Sequence, residues 1–242
     1  VSSPVGAWCK RVAQRVYRNA DRVICISERV RERVLEGSQA NAVVVYNGVD
    51  SERFRPATEN SDCLTVLSVG NLIPIKGHEL LLRGLAAVQD RFPQISCQII
   101  GDGPERHPLQ SLARELGLAE KVTFLGRIDR DKLSAAMRSC AIFALPSRYE
   151  GLGCVYLEAM ACEKPVIACH NQGIEEIVKH KRNGWLINPD DLSQMTEALS
   201  TLLQEAHTRK QIGESARKTI LAGLTYAHQS ENLAKLYRAC LR

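Results

Sequence analysis

Aromatic residues are scarce in this chain, at 5% of its 242 residues, and no nucleic-acid-binding motif accompanies them. A nucleic-acid reader needs stacking rings or a binding motif beside its basic surface, so nucleic acid is not an expected partner. No run approaches the roughly 18 apolar residues of a membrane-spanning helix, and no signal-peptide pattern is visible. The nine cysteines (Cys9, Cys25, Cys63, Cys97, Cys140, Cys154, Cys162, Cys169 and Cys240) include no C-x-x-C pair. Their number is odd and several fall in expected strands or on apolar helix faces, as free, buried, cytosolic thiols do. Six histidines are spread without ligand spacing, so no metal site is expected. Both glycine signatures of nucleotide enzymes are missing. There is no G-x-x-x-x-G-K-S/T, and no G-x-G-x-x-G after the first strand, which makes a nicotinamide dehydrogenase the least favoured enzyme class.

What is present is an ordinary globular composition, 45% hydrophobic and 24% charged, of a length for about one or two domains. The net charge of +5 is local. Residues 1–35 hold eight basic side chains (Lys10, Arg11, Arg15, Arg18, Arg22, Arg29, Arg31, Arg33) against three acidic ones (Asp21, Glu28, Glu32), which by itself gives the +5 of the whole chain. A solvated helical face is the commoner meaning of such a segment. Contact with anionic lipid or an anionic acceptor is the alternative.

The pattern predicts a basic helix over residues 5–20, a short buried strand at 22–27, a helix from Ser27 and Glu28 to Gly37, and a strand at 42–50 closed by Asn47-Gly48. Residues 51–62 are polar, contain Pro56 and lack apolar periodicity, so they read as an interdomain linker. Strands are then expected at 64–70, 95–101, 121–126, 141–147, 165–169 and 184–187. Helices carrying Leu81, Leu85 and Val88, then Leu109, Leu112 and Leu116, then Leu133, Ala136 and Met137 alternate with them. Gly117 should cap the second of these. The tail from about Asp191 is helical, and a last helix starts near Tyr226. Near-continuous apolar strands mean burial on both faces, hence a doubly wound α/β domain with a parallel sheet. Ligands of such sheets bind beyond the carboxyl ends of the strands.

The motifs lie at those ends. Glu150 and Glu158 sit in SRYEGLGCVYLEAMACEKPVIA, at residues 147–168. Glu150 falls on the loop after the fourth strand and Glu158 more than a turn into the next helix. Two acceptors of hydroxyl hydrogen bonds beside a helix N-terminus, which attracts anions, suit a sugar joined to a diphosphate. Lys76 stands where the loop after the first strand enters its helix. It can place a point charge on a phosphate or be a surface lysine. Gly101 to Pro104 are a turn by themselves. Gly126 would let a planar base approach the backbone or simply make a turn. His170 could touch a ligand, though a lone loop histidine is more often solvated.

Taken in order, ADRVICIS, VVVYNGVDSERFRP, VGNLIPIKG, IGDGPER, VTFLGRI, PSRYEGLGCVYLEAMACEKPVIA and GIEEIVKHKRNGWL resemble the glycosyltransferases of family 4, over residues 20–186. The E-G-x-G-x-x-x-x-E block followed by K-P-V-I-A is the most specific part. The resemblance implies a retaining enzyme of the GT-B fold, with two Rossmann-like domains flanking the active site and no essential metal or other cofactor. It implies that residues 63–225 form the nucleotide-sugar domain and residues 226–242 a C-terminal helix. Residues 1–50 would be the end of an N-terminal acceptor domain that is incomplete here, in a chain that begins at Val1. By the same resemblance Lys76 contacts the diphosphate, Glu158 the ribose and Glu150 the donor sugar. The amides of Gly151, Leu152 and Gly153 reach sugar and phosphate, and Gly126, Arg127 and Ile128 frame the base.

The sequence departs from the family at Asn71, where the family's V-G-R loop has a second cation. Arg148 or Arg127 are candidates to replace that charge. The expected activity is transfer of a sugar from a nucleotide sugar, UDP- or GDP-linked, to a glycan or lipid-linked acceptor in cell-surface polysaccharide synthesis. The expected location is cytoplasmic, with peripheral contact at the inner membrane face. With the N-terminal part incomplete, the chain alone is expected to bind donor but transfer little sugar. Alternatives are a non-catalytic nucleotide-sugar-binding module, or another GT-B enzyme such as a sugar-nucleotide epimerase.

Overall fold

The computed structural model describes residues 4–36, 40–57 and 64–241. The chain runs α1 (Pro4–Asn19), β1 (Val23–Cys25), α2 (Glu28–Leu35) and β2 (Ala42–Val44), then β3 (Thr65–Val69), α3 (His78–Val88), β4 (Ser96–Ile100), α4 (Arg106–Glu115), β5 (Val122–Gly126) and α5 (Arg130–Ser139). It continues through β6 (Ile142–Ala144), α6 (Cys154–Ala161), β7 (Val166–Cys169), β8 (Trp185–Ile187), α7 (Leu192–Gln204), α8 (Ala206–Gly223) and α9 (Tyr226–Cys240). Short 3-10 turns occupy Pro74–Lys76 and Gly173–Glu176.

Strands β3 to β8 form one all-parallel sheet in the order β5-β4-β3-β6-β7-β8. The chain starts in the middle, moves outward to β5, then returns to place β6 on the other side of β3. That reversal leaves a crevice beyond the carboxyl ends of β3 and β6. The strands alternate their side chains between two cores. Val66, Ile142, Ala144 and Ile167 face the layer of α3, α4 and α7. Leu67, Phe143, Val166 and Ala168 face that of α5, α6 and α8. β1 and β2 pair as a separate two-stranded parallel sheet.

Several expectations are corrected. The strand foreseen at 42–50 stops at Val44. Val45 still donates to the Cys25 carbonyl (2.9 Å), but Val49 makes an isolated bridge to Thr225 at the α8–α9 junction. The strand foreseen to 147 ends at Ala144, close to Pro146, which has no N–H for a ladder. β5 is an edge strand, with Thr123 and Leu125 exposed, so it is not a continuous buried run. The helical tail is two helices, α7 and α8, broken at Glu205. Gly117 takes the left-handed conformation expected just past α4 (φ 71°). Of the segment read as a linker, residues 58–62 lie outside the described residues, as does Cys63. Within the rest, Phe54 is fully buried in the second core. The described cysteines are free, with Cys25, Cys97, Cys140, Cys162 and Cys169 buried.

Candidate functional site

The loops after β3 and β6 meet at the crevice. Lys76 ends the 3-10 turn Pro74–Lys76, and Gly77 follows at φ 71° before α3 begins. Only glycine fits there, because a Cβ would lie 2.1 Å from the carbonyl oxygen of Pro146. The two loops therefore touch backbone to backbone, and Lys76 Nζ reaches Glu150 Oε1 at 2.5 Å. Both side chains are mostly shielded, 19% and 12% exposed. An ammonium has three donors, and one is used on Glu150.

Glu150 is held from behind by Gln172, a residue without a sequence signal, and by the backbone of Arg148 and Gly173. Its N–H donates to Gln172 Oε1 (3.0 Å), and the Gln172 amide donates to the Arg148 carbonyl (2.8 Å). The Gly173 N–H donates to the Glu150 carbonyl (3.1 Å). A Cβ on Gly173 would stand 1.7 Å from the Gly151 oxygen, so this backbone approach again demands glycine.

Helix α6 begins next to this pair. Gly153 is its N-cap and offers no side-chain cap to the first amides. The Glu150 carboxyl carbon lies 3.6 Å from where a Gly153 Cβ would stand, so Lys76 and Glu150 sit at the positive end of the helix. The apolar face of α6 is locked by Tyr156, which is fully buried against Phe143 and donates its hydroxyl to the Leu145 carbonyl. One turn on, Glu158 is only 7% exposed. Its Oε1 accepts from Arg130 Nη2 (3.0 Å), while its buried Oε2 has no hydrogen-bond partner. Burial raises its pKa and the Arg130 guanidinium opposes that shift. A cavity of about 250 Å³ opens beside it, with Asn47, Arg130, Cys154, Glu158, Tyr226 and Gln229 in its wall.

The other expected site residues are placed as follows. Asn71 is exposed on the β3 loop. Gly126 ends β5 at φ 69°, Arg127 is exposed and Ile128 packs partly against the second core. Arg106 Nη1 lies 3.2 Å from the Cβ position of Gly126, beside the expected base frame. The Leu152 side chain is fully buried, which leaves its backbone for the crevice. Arg148 is engaged elsewhere than on the crevice: its guanidinium binds Asp190 and the Pro74 carbonyl. His170 pairs with Glu175 at 2.8 Å. Among the described residues no group of three His, Cys, Asp and Glu side chains could hold a metal ion.

The N-terminal segment reaches the crevice through Glu176, for which the GIEEIV element suggests no role by itself. Glu176 accepts from the Glu28 and Arg29 N–H groups (2.9 and 3.0 Å) and from the Tyr46 hydroxyl (2.9 Å). It thereby caps α2 from 148 residues away. Ile26 meets Gly151, and the Arg33 guanidinium stacks over Tyr149 at 4.5 Å. Arg130, Gln172 and Asp190 carry no sequence signal and Glu176 only its place in the GIEEIV element, because each acts through partners distant in the chain.

The profile described as "Glycosyl transferases group 1" matches residues 50–219, and that described as "Glycosyltransferase Family 4" matches residues 1–53. The GDP-mannose-dependent alpha-(1-6)-phosphatidylinositol monomannoside mannosyltransferase of Mycolicibacterium smegmatis is 31% identical, over 92% of this chain and 63% of its own length. The D-inositol 3-phosphate glycosyltransferase of Corynebacterium jeikeium is 32% identical, over 93% and 58%. This chain thus spans less than two thirds of these relatives. Among solved structures, the sucrose-phosphate synthase of Thermosynechococcus elongatus superposes with a TM-score of 0.84 at 26% identity, over all of this chain and 64% of that one. Anabaena HepE in complex with UDP gives 0.87 at 25%, over 98% and 70%.

Proposed function

The chain belongs to the group 1 glycosyl transferases, and from that premise we propose that its β3–β6 crevice holds a nucleoside-diphosphate sugar whose sugar is transferred to an acceptor. The observation that carries this reading is the Lys76–Glu150 pair, 2.5 Å apart at the α6 N-terminus. Lys76 keeps two donors for phosphate oxygens. Glu150 accepts from sugar hydroxyls, and the amides of residues 151–153 with the helix end face the diphosphate. As the glycosidic bond breaks, negative charge grows on the departing nucleoside diphosphate, and these fixed donors stabilise it where it forms. Glu158, desolvated and with Oε2 unpartnered, accepts from ribose hydroxyls. Gly126, Arg127 and Ile128 frame the base.

In this reading the transfer retains anomeric configuration, needs no metal and serves a glycan or lipid-linked acceptor. A relative named for GDP-mannose and a phosphatidylinositol mannoside, and a neighbour solved with UDP, support a UDP- or GDP-linked donor. Peripheral contact with an anionic membrane is supported by α1, where Trp8, Val12 and Val16 are exposed at helical spacing beside Lys10, Arg11 and Arg15. No described helix is long and apolar enough to cross a membrane.

Calorimetric titration with UDP, GDP, ADP and NAD, with and without EDTA, tests the donor site. Binding of one nucleoside diphosphate that EDTA leaves intact, and that Lys76→Ala and Glu158→Ala each weaken, is the expected result. A folded protein that binds none of them refutes the reading.

A further inference from the structure

The turn that carries Lys76 overhangs a cavity. Ile73, Pro74, Gly77 and His78 form one side of a space of about 280 Å³, with Arg148 and Asp190 on another. Packing does not fill that side of the turn. Hydrogen bonds from one neighbouring strand end hold it instead. The Arg148 N–H donates to the Ile75 carbonyl (2.8 Å), and Arg148 Nη1 donates to the Pro74 carbonyl (3.1 Å). The Ser147 hydroxyl also donates to the Ile75 carbonyl (3.1 Å).

The Arg148 guanidinium is in turn fixed by Asp190. Nε donates to both carboxylate oxygens (2.8 and 3.0 Å), and Nη2 lies 2.6 Å from Oδ1. Asp190 has a left-handed backbone (φ 65°) in the connection from β8 to α7. Its neighbour Asp191 caps α7 by accepting from the Gln194 N–H (2.9 Å). The carboxylate is therefore anchored to the start of a helix, and the guanidinium spans from there to the Lys76 turn.

We infer that Asp190 and Arg148 are positioning residues, a clip that sets the Pro74–Lys76 turn and so holds Lys76 against Glu150. This inference rests on the donor-site reading above. It differs from a direct role for Arg148 as a second cation on the diphosphate, because the guanidinium is spent on Asp190 and Pro74. The pair is exposed, 46% and 57%, and exposed ion pairs contribute little to stability. Breaking the clip should therefore alter ligand binding and leave the fold intact.

The test is calorimetric titration of UDP, GDP and ADP into the wild type, Asp190→Asn, Arg148→Lys, Lys76→Ala and the Lys76→Ala/Asp190→Asn double variant, with melting temperatures alongside. Asparagine tolerates the left-handed backbone, so Asp190→Asn removes charge without adding strain. It should weaken diphosphate binding about tenfold in the wild-type background and less than about twofold beside Lys76→Ala, as coupled residues do. Arg148→Lys should lose as much, because lysine is a good point charge for phosphate but cannot make the bidentate clip. Amide exchange at Lys76 and Gly77 should speed up in Asp190→Asn. Tighter binding in Asp190→Asn would mean that a freed Arg148 serves as a phosphate cation, and would overturn the inference. So would an equal loss with and without Lys76, or unchanged binding in Asp190→Asn while Lys76→Ala still weakens it. A folded wild type that binds no nucleoside diphosphate, ADP included, refutes the donor-site reading and this inference with it.

Discussion

Acidification should destabilise this protein through one buried histidine. His78 opens α3 directly beneath the β3 loop and is 2% exposed. Its Nδ1 meets the Ser68 hydroxyl at 3.2 Å, and its Nε2 is buried with no partner. Burial holds its pKa down to about 4; nearby Lys76 adds to the effect and the Asn71 backbone opposes it. An unfolded histidine titrates near 6.5. Between those two values the unfolded chain binds the proton that the folded chain refuses, so stability falls as pH falls through the window and levels off below the folded value. One pKa unit corresponds to about 1.36 kcal/mol, so the full loss is about 3.4 kcal/mol, of which about 2 kcal/mol is reached by pH 5.

Other groups titrate in the same range, so the measurement is a difference. Urea unfolding followed by far-ultraviolet circular dichroism, in half-unit steps from pH 7.5 to pH 4.5, would compare the wild type with His78→Asn. The variant lacks the titrating ring, and the wild type should lose about 2 kcal/mol more than it does by pH 5. Parallel curves, differing by less than about 0.5 kcal/mol at pH 5, would refute the idea that His78 is buried in its neutral form.

Three further outcomes follow from packing and capping. Phe54→Ala removes a fully buried ring from the second core and should cost about 3–5 kcal/mol in urea unfolding; a cost under about 1 kcal/mol would mean that residues 51–57 are not docked on the domain. Glu176→Ala leaves two α2 amides and the Tyr46 hydroxyl without their acceptor, so amide exchange in residues 28–31 should accelerate by about one to two powers of ten, and unchanged protection would rule out the cap. Glu158→Gln removes a charge that burial disfavours. Because the folded pKa is raised, wild-type stability should fall as pH rises from the ordinary carboxylate value through the folded one, and the variant should lack that fall; identical pH profiles for both proteins would count against it.

Much of the sheet was legible because burial on both faces leaves a mark in sequence. β6, β7 and β8 are apolar throughout and β3 is broken only by Thr65 and Ser68; β3, β7 and β8 lie where the pattern placed them, and β6 stops three residues short. In sequence β5 reads as equally buried, because an edge strand and a central one of similar composition differ only in their neighbours. The break between α7 and α8 leaves no mark in sequence, because residues 203–208 carry no glycine or proline. Lys76, Glu150 and Glu158 could be singled out because their spacing places them at strand ends and on one helix.

Local periodicity and local sterics were enough to mark the alternation of elements, the glycines where backbones touch, and the residue types offered to a ligand. Tertiary structure alone decided which charges meet. Arg148, open in sequence to a phosphate role, is committed to Asp190 and Pro74, and Arg130 rather than any neighbour in sequence meets Glu158. Gln172 and Glu176 join the candidate site only because the fold brings them to Glu150 and to α2. Such contacts join residues many positions apart, and no local pattern encodes them, because the folding of the sheet brings them together.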